Sequence, residues 1–276
     1  MIIARNILLR NQRYAAIVYP IPVMRSCTLD ANVPCMLGLM RFPVLFRQKQ
    51  IWIPTISGWI LTFALFSGLL AFTGRHVYPF LAPEQPAGAR LLAVEGWLQP
   101  EELDQAVIRF KAGNYSRIIT TGGPVSANLY HPAPVPYAVL ARDYLVRRGL
   151  PAATVNAVPA PASLKDRTFL SAVMVRTWLE ESGQTVAALD VFSSGVHSRR
   201  SRAVYRLAFG PDVRIGIIAA RPTEYDPDNW WQTSAGAKTV IAETISWLWT
   251  ELFFRPGPRG SYEEKWGLPP PARSAG

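Results

Sequence analysis

An apolar stretch from residue 51 to residue 74 contains no charged side chain, and it constrains this chain more than any other feature of its sequence. As an α-helix its 24 residues would rise about 36 Å, enough to cross a hydrocarbon core of roughly 30 Å. A helix buried in a soluble core rarely reaches this length without one charge. The segment therefore predicts a membrane-spanning helix, with Trp52, Trp59 and Tyr78 near its two interfaces.

The charges on either side of this segment predict its orientation. Residues 1–50 contain seven Lys or Arg residues and one acidic residue, whereas residues 75–276 contain 22 and 18. Because Lys and Arg are retained on the cytoplasmic side, we expect the N-terminus in the cytoplasm and the larger C-terminal part outside it. A cleaved signal peptide is the alternative, but Leu69 occupies a position where cleavage requires a small side chain, which favours an uncleaved anchor.

The first 50 residues account for more than half of the net charge of +10. We interpret them as a basic cytoplasmic segment, with Met40 as a second candidate start because the residues after it would suffice as a lead-in to the anchor. Both cysteines, Cys27 and Cys35, lie here, so the rest of the chain has no thiol for a disulfide, a nucleophile or a metal site. Its nearly balanced charge also disfavours a nucleic-acid-binding surface.

Short apolar runs alternate with helical patterns after a Pro-rich linker over residues 75–89. The predicted strands are 90–98, 116–123, 153–160, 186–194 and 213–220, and the predicted helices are 100–114, 136–149, 163–183, 198–209 and 234–254. Strands that alternate with helices of this length form parallel sheets covered on both faces. We therefore predict an α/β domain over residues 90–254, built on an open, mainly parallel, Rossmann-like sheet of about five strands, and a flexible tail over residues 255–276.

The ends of the predicted strands supply candidate binding residues, because ligands of open α/β sheets bind at the carboxyl ends of the strands. In "TTGGP", Gly122 and Gly123 follow the second strand and could let a ligand approach backbone amides, with a tight turn as the alternative. The sequence contains neither GxGxxG nor GxxxxGK[ST], which disfavours a dinucleotide site or a P-loop.

The stretch "SSGVHSRRSR" follows the fourth predicted strand. Basic residues at the beginning of a helix oppose its dipole, so their presence favours a site for an anion such as phosphate or carboxylate. Ser194 and Arg200 are the candidate ligands, and His197 is a candidate acid or base near neutral pH. A solvent-exposed basic helix face is the alternative interpretation.

Two carboxylates complete the candidate site. Glu95 follows the first strand and could act as a base or pair with an Arg residue. Asp166 precedes Thr168 at the start of the long third helix, where a carboxylate could also serve only to cap the helix. The sequence has no HExxH or GxSxG motif, so we predict no metal site and no standard serine-esterase site.

The last predicted helix contains an apolar stripe at helical spacing, formed by Ile241, Ile245, Leu248 and Leu252. Such a stripe is typical of core packing, which we predict for it. Trp230 and Trp231, just before this helix, could instead line a pocket or contact a bilayer.

Taken together, "VEGWL", "TTGGP", "DRT" and the His-x-x-Arg pattern of His197 and Arg200 resemble motifs of the YdcF/SanA/ElyC-like family. The resemblance covers residues 90–254 and includes Thr168 as a threonine near the start of a long helix. It implies a Rossmann-like fold, often with an N-terminal membrane anchor, in the bacterial cell envelope. It also implies a link to barrier function or to polyprenyl-linked precursors of peptidoglycan and polysaccharide, and one branch of the family has been associated with S-adenosylmethionine.

Two positions depart from the family pattern. An acidic residue soon after the Gly-Gly turn is replaced by the uncharged "VPYAVLA", and Arg167 stands where the family has Asn. If those groups are catalytic elsewhere, this chain does different chemistry or only binds.

These observations lead to one hypothesis and two alternatives. We expect a single-pass protein of the inner membrane whose periplasmic domain binds or acts on an anionic, phosphate-bearing envelope metabolite, polyprenyl-linked ones included. The alternatives are a non-catalytic ligand-binding module and a nucleotide- or S-adenosylmethionine-binding protein. The expected partners are the membrane and the anionic molecule, not nucleic acid, and both catalysis and the cofactor stay open.

Overall fold

The computed structural model describes residues 53–124, 135–163 and 165–267, so the basic N-terminal segment with its candidate start lies outside it. The strands of the described residues are β1 (Leu91–Glu95), β2 (Arg117–Gly122), β3 (Val155–Pro159), β4 (Ala188–Ser194) and β5 (Arg214–Ala220). The helices are α1 (Ile56–Leu81), α2 (Pro100–Ala112), α3 (Tyr137–Arg147), α4 (Arg167–Glu181), α5 (Ser198–Phe209), α6 (Ser234–Leu252) and α7 (Tyr262–Trp266). The strands and helices predicted between residues 90 and 254 are thus confirmed, with small differences at their ends.

The five strands form one parallel sheet in the order β3-β2-β1-β4-β5. This confirms the predicted α/β class. The chain builds outward from β1 to β3 and then returns to the other side of β1 to form β4. The direction of winding therefore reverses between β1 and β4, and ligands bind at such a reversal in open α/β sheets. Glu95 and Ser194 are the last residues of these two strands.

Helices cover both faces of the sheet, and β1 shows how its sequence separates them. Leu91 and Ala93 pack in the core beneath α4 and α5, whereas Leu92 and Val94 pack in the core with α2 and α3. Successive side chains of a strand point to opposite faces, so a strand buried on both sides is apolar throughout. This is why the strands are continuous apolar runs in the sequence.

The uncharged segment forms most of α1, which is long and apolar enough to cross a membrane. Its most apolar 18-residue stretch has none of its residues buried inside the protein. The Thr55 side chain accepts a hydrogen bond from the Gly58 amide at 3.2 Å and caps the first turn. The helix ends at Leu81 rather than at residue 74, so it includes the first part of the predicted linker.

The last turns of α1 pack directly against the α/β domain. Trp230 Nε1 donates a hydrogen bond to the carbonyl oxygen of Gly74 at 2.9 Å. The rings of Phe80 and Trp247 meet edge to face with their centroids 4.9 Å apart, and Leu81 is fully buried. The helix is therefore joined to the domain through side-chain packing.

Residues 255–267 fold back onto the domain, so the prediction of a flexible tail is wrong for this part of the chain. Within them, Glu264 accepts two hydrogen bonds from Arg176 on α4, at 2.7 and 2.8 Å. Arg176 also donates to the carbonyl oxygen of Ala208 at 2.5 Å. A buried bidentate pair of this kind fixes α7 against α4. Residues 268–276 lie outside the described residues.

Candidate functional site

A cavity of about 750 Å³ opens at the carboxyl edge of the sheet, next to the reversal between β1 and β4. The ends of β1 and β2, the beginning of α4, the turn before α5 and one side of α6 form its walls. Seven predicted site residues line it, namely Glu95, Gly122, Gly123, Asp166, Thr168, His197 and Arg200. The fold thus brings together residues that are separated by up to about a hundred positions in the sequence.

Glu95 is buried at the base of the cavity and is held by two hydroxyl groups. Its Oε2 accepts a hydrogen bond from Ser193 Oγ at 2.6 Å, and its Oε1 accepts one from Ser201 Oγ at 2.8 Å. Both oxygen atoms are therefore satisfied without an Arg partner. The bonds connect β1 to β4 and to the first turns of α5, so they also fix the geometry of the crevice.

His197 ends the short turn between β4 and α5, and its ring is fixed between aromatic and polar neighbours. The ring meets Trp97 edge to face, with centroids 5.0 Å apart. Its Nε2 lies 3.5 Å from Thr168 Oγ1 and 3.9 Å from Glu95 Oε2. Nε2 is therefore the ring atom that faces the polar end of the cavity.

The other ring nitrogen contacts an ion pair between α5 and α6. Arg200 donates from Nε and Nη2 to the two carboxylate oxygens of Glu243, at 2.9 and 3.0 Å. His197 Nδ1 lies 3.1 Å from Glu243 Oε1 and 2.8 Å from Arg200 Nη2, and it can satisfy only one of them. We place a proton on Nδ1 that is donated to Glu243, because a carboxylate is the stronger partner. In the neutral ring Nε2 then carries the free lone pair.

The charge of Glu243 is set by these neighbours. Burial alone would raise the pKa of Glu243, but hydrogen bonds from His197 and Arg200, together with their positive charge, lower that pKa to about 2. The group is therefore a carboxylate at neutral pH. It neutralises Arg200, so this guanidinium is engaged inside the protein and is less available to a ligand than the sequence indicated.

The beginning of α4 supplies a second positive region of the cavity wall. Lys165, Asp166, Arg167 and Thr168 all line the cavity there. Asp166 adopts a left-handed backbone with φ of 53°, and its side chain makes no hydrogen bond to α4, a helix that the structure describes in full. Asp166 thus stands at the N-cap position of α4 without capping it through a side-chain hydrogen bond, and its charge still complements the helix dipole. The free amides of a helix N-terminus and two cationic side chains favour an anion here.

The Gly-Gly turn after β2 serves backbone geometry as well as the cavity. Gly122 has a φ of +146°, and a Cβ atom at this position would lie 2.9 Å from Tyr137 Cβ. The carbonyl oxygen of Gly123 accepts a hydrogen bond from the Tyr137 amide at 2.9 Å. The turn thus holds α3 close to the sheet edge while both glycines line the cavity.

Ser194 was predicted to bind the ligand, but it does not line the main cavity. Its side chain donates a hydrogen bond to Glu102 and faces a separate cavity of about 200 Å³. The neighbouring residue Ser193 contacts Glu95 instead. Alternate residues of a strand point to opposite faces, so only one of the two serines can reach Glu95. Burial raises the pKa of Glu102, which Ser194 partly opposes through its hydrogen bond.

Three polar residues of the site were missed in the sequence. Ser193 and Ser201 hold Glu95, and Glu243 contacts both His197 and Arg200. Ser201 follows Ser198 by three positions in "SRRS". Because residues three apart share one helix face, this spacing weakly indicated that Ser201 faces the same side as Ser198. Nothing in the sequence indicated that Glu243 belongs to the site, because the pattern recognised in α6 was its apolar stripe.

No protein-family model matches the sequence, and no curated protein matches it either. The resemblance to the YdcF/SanA/ElyC-like family therefore stays a prediction. Among the described residues, no group of three or more His, Cys, Asp and Glu side chains is arranged to hold a metal ion. The chemistry of the site therefore has to be inferred from its geometry. One cavity brings together the oriented imidazole of His197, the carboxylates of Glu95 and Glu243, and the cationic side chains at the beginning of α4.

Proposed function

We propose that this chain is a membrane-anchored α/β enzyme whose cavity binds a phosphate-bearing metabolite of the cell envelope and uses His197 for proton transfer. The observation that carries the proposal is the setting of Nε2, which faces the cavity 3.5 Å from Thr168 Oγ1 while Nδ1 is held by Glu243. An imidazole fixed within reach of a bound group, directly or through one water molecule, has the geometry that general acid–base catalysis needs.

The reaction that fits these groups is hydrolysis at phosphorus. Water loses a proton to His197 Nε2 as its oxygen forms a bond to phosphorus. The bond from phosphorus to the leaving oxygen breaks, and that oxygen receives the proton from the imidazolium. The two carboxylates stabilise the imidazolium between these steps: Glu243 lies 3.1 Å from Nδ1 and Glu95 lies 3.9 Å from Nε2.

The same carboxylates decide where the anionic part of the ligand binds. Glu95 and Glu243 repel a phosphate from the His197 end of the cavity, since like charges at short range disfavour binding. The wall formed by the beginning of α4 presents Lys165, Arg167 and the helix N-terminus, whose positive charge exceeds that of the single carboxylate of Asp166 there. A phosphate bound there places its phosphorus between the positive wall and Nε2. Arg200 then has a positioning role through Glu243 and does not bind the phosphate itself.

The cellular setting is proposed from α1 and from the sequence around it. A helix of 26 residues that is long and apolar enough to cross a membrane precedes the domain. The basic residues 1–50 favour a cytoplasmic N-terminus and a periplasmic domain in the inner membrane. The resemblance to the YdcF/SanA/ElyC-like family adds the cell envelope and polyprenyl-linked metabolites as the class to test first.

The experiment compares two histidine variants of the full chain in lipid nanodiscs, with farnesyl pyrophosphate as substrate and released phosphate as readout. His197→Ala should lower kcat by roughly 100-fold or more, the contribution typical of a positioned acid or base. His76→Ala is the matched control, because His76 stacks on Phe72 in α1 and does not line the cavity. Arg167→Gln should raise KM and change kcat little.

Two results would overturn the proposal. Wild-type turnover by His197→Ala would remove the imidazole from the reaction. Binding of the pyrophosphate without phosphate release, weakened by Arg167→Gln and unaffected by His197→Ala, would show a non-catalytic binding module instead.

A further inference from the structure

The outward face of α6 is apolar and exposed, contrary to the core packing predicted for its stripe. The large side chains here are exposed by 43% to 67%. They are Ile241, Ile245, Leu248, Trp249 and Leu252 of α6 and Phe253, which directly follows the helix. We call these six residues the α6 apolar face. Exposed apolar side chains that form a continuous patch mark a site of interaction more often than isolated ones do.

This face lies between two other flanks of α6 that have known neighbours. On one flank, Val240 packs with α1, and Trp247 contacts Phe80. On the other flank, Ser246 and Trp249 line the main cavity. At 100° per residue, the outward positions fall between these flanks. The face therefore reaches the cavity entrance at Ile245 and Trp249, whereas Thr244 and the exposed Glu251 lie between it and the flank that packs against α1.

Two residues belong both to the face and to the cavity. Ile245 and Trp249 line the cavity wall while their side chains are 62% and 50% exposed. On α6 the cavity is thus lined by the polar residues Glu243, Ser246 and Thr250 and, where it meets the exposed face, by the apolar Ile245 and Trp249. Where it meets α4 it is polar, with two cationic side chains. A ligand that fits both ends has a charged head and a hydrocarbon tail, and its tail leaves the cavity over Ile245 and Trp249.

We propose that the α6 apolar face binds the hydrocarbon tail of the ligand whose phosphate enters the cavity. The inference rests on the proposed function, since head and tail belong to one molecule. The occupant follows from Ile245 and Trp249, which belong to both the cavity and the face, and from α1, the helix suited to cross a membrane, which packs against the neighbouring flank of α6. A single lipid molecule can therefore bring its phosphate to His197 while its tail stays in contact with the α6 apolar face.

The experiment uses dodecyl phosphate that carries a diazirine on its terminal carbon, with the full chain in lipid nanodiscs. After photolysis, mass spectrometry locates the label. We expect labelling of residues 241–252 and its loss in the presence of excess unlabelled dodecyl phosphate. The matched probe without phosphate, a diazirine-bearing dodecanol, should label α1 and leave residues 241–252 essentially unlabelled.

Paired variants separate the apolar face from other exposed apolar residues. Ile245→Asn should lower the affinity for dodecyl phosphate roughly tenfold, the value expected when about two methylene groups lose their apolar contact. Ile108→Asn is the control, because Ile108 is equally exposed but lies on α2, away from the cavity. Both variants should unfold at wild-type temperature, since neither side chain is buried.

The outcomes distinguish this inference from the proposed function. Label confined to α1, with phosphate still protecting the protein against thermal unfolding, would overturn the tail site and leave the phosphate site standing. Label on residues 241–252 that neither inorganic phosphate nor Arg167→Gln reduces would show that the face binds a tail without a phosphate in the cavity, which would overturn the phosphate site and, with it, the inference that one ligand occupies both. A dimer that Ile245→Asn dissociates, with residues 241–252 unlabelled, would show that a second copy covers the face and would overturn the inference.

Discussion

Within residues 53–124, 135–163 and 165–267, two Arg–Glu pairs are bidentate, and they have different roles. In the pair of Arg176 and Glu264 the side chains are 4% and 3% exposed, and the third partner is the carbonyl oxygen of Ala208. In the pair of Arg200 and Glu243 they are 22% and 18% exposed, and the third partner is His197. The first pair is sealed between α4 and α7, whereas the second borders the main cavity.

The comparison shows that hydrogen-bond geometry alone does not identify a functional ion pair. Both pairs are bidentate, through Nη1 and Nη2 of Arg176 and through Nε and Nη2 of Arg200, and both carboxylates have a lowered pKa. The difference lies in the third partner, because a carbonyl group has no proton to exchange whereas an imidazole can accept and donate one. The buried pair of Arg176 and Glu264 can therefore stabilise the fold. The pair of Arg200 and Glu243, which borders the cavity, can also orient His197 for proton transfer.

The largest effect is expected from breaking the sealed pair. Arg176→Ala leaves the carboxylate of Glu264 buried without its partner and should lower the free energy of unfolding by about 3–5 kcal/mol. Chemical denaturation of the full chain, followed by Trp fluorescence, measures it. The double variant Arg176→Met with Glu264→Met should recover most of the loss, because an apolar pair replaces the charges. If Arg176→Ala lowered the free energy of unfolding by no more than the loss of an exposed ion pair does, the structural role of this pair would be contradicted.

The pair that borders the cavity should give a pH-dependent effect. The pKa of Glu243 is about 2 in the folded chain against an ordinary value of 4.5. A lowered pKa stabilises the fold above pH 4.5, and this stabilisation disappears as the pH falls towards 2. The shift corresponds to about 3 kcal/mol. Glu243→Gln should therefore be less stable than the wild type at pH 6, and the difference should shrink towards pH 2. A difference that is independent of pH would contradict this electrostatic account.

Ser193 and Ser194 are adjacent in β4, and their alanine variants should have a smaller effect on stability than the two changes above. Ser193→Ala removes one of two hydrogen bonds to Glu95 and should cost about 2 kcal/mol of stability, together with a lower kcat. Ser194→Ala removes a similar bond from Glu102, so it should cost comparable stability without changing kcat. Denaturation curves and turnover with farnesyl pyrophosphate measure both. Equal kcat in the two variants would show that the anchoring of Glu95 does not matter to the reaction.

The smallest effect is expected at an exposed ion pair, which serves as the reference for the other two. Arg148 also contacts both carboxylate oxygens of Asp104, but their side chains are 50% and 31% exposed. Water screens such a pair, and exposed pairs contribute little to stability. Asp104→Asn should leave the thermal unfolding temperature unchanged within error. A clear decrease would mean that bidentate geometry matters more than burial.

The sequence predicted the sheet well because its strands are buried on both faces. Runs such as "LLAV" and "IGIIA" have to be apolar throughout, and glycine residues interrupt the pattern where helices end, as at Gly149 and Gly183. The errors occur where the sequence does not show which neighbouring elements pack against a residue. The stripe at Ile241 and Ile245 has the spacing of a buried face, but α6 presents it outward, and periodicity does not say which side of a helix is covered.

The candidate site was predicted only in part, for a similar reason. His197 and Glu95 were found because strand ends in a parallel sheet lie together, whereas Thr168 was singled out through the family resemblance. The partner of Arg200 was not, because Glu243 follows it by 43 positions and its contact depends on how α6 packs. The choice of Ser194 instead of Ser193 reflects the register of a strand end, which the sequence leaves uncertain by a residue.

The junction between α1 and the domain has a geometric consequence if α1 spans the membrane as proposed. The helix continues without a break from Ile56 to Leu81, and its last turns are packed against α6. The height of the cavity above the lipid and the direction in which it opens are then both set by the length of one helix. Inserting a single alanine after Gly74 would raise the domain by about 1.5 Å and turn it by about 100° around the helix axis. The α6 apolar face would then point to a different side of the anchor at almost the same distance from the bilayer.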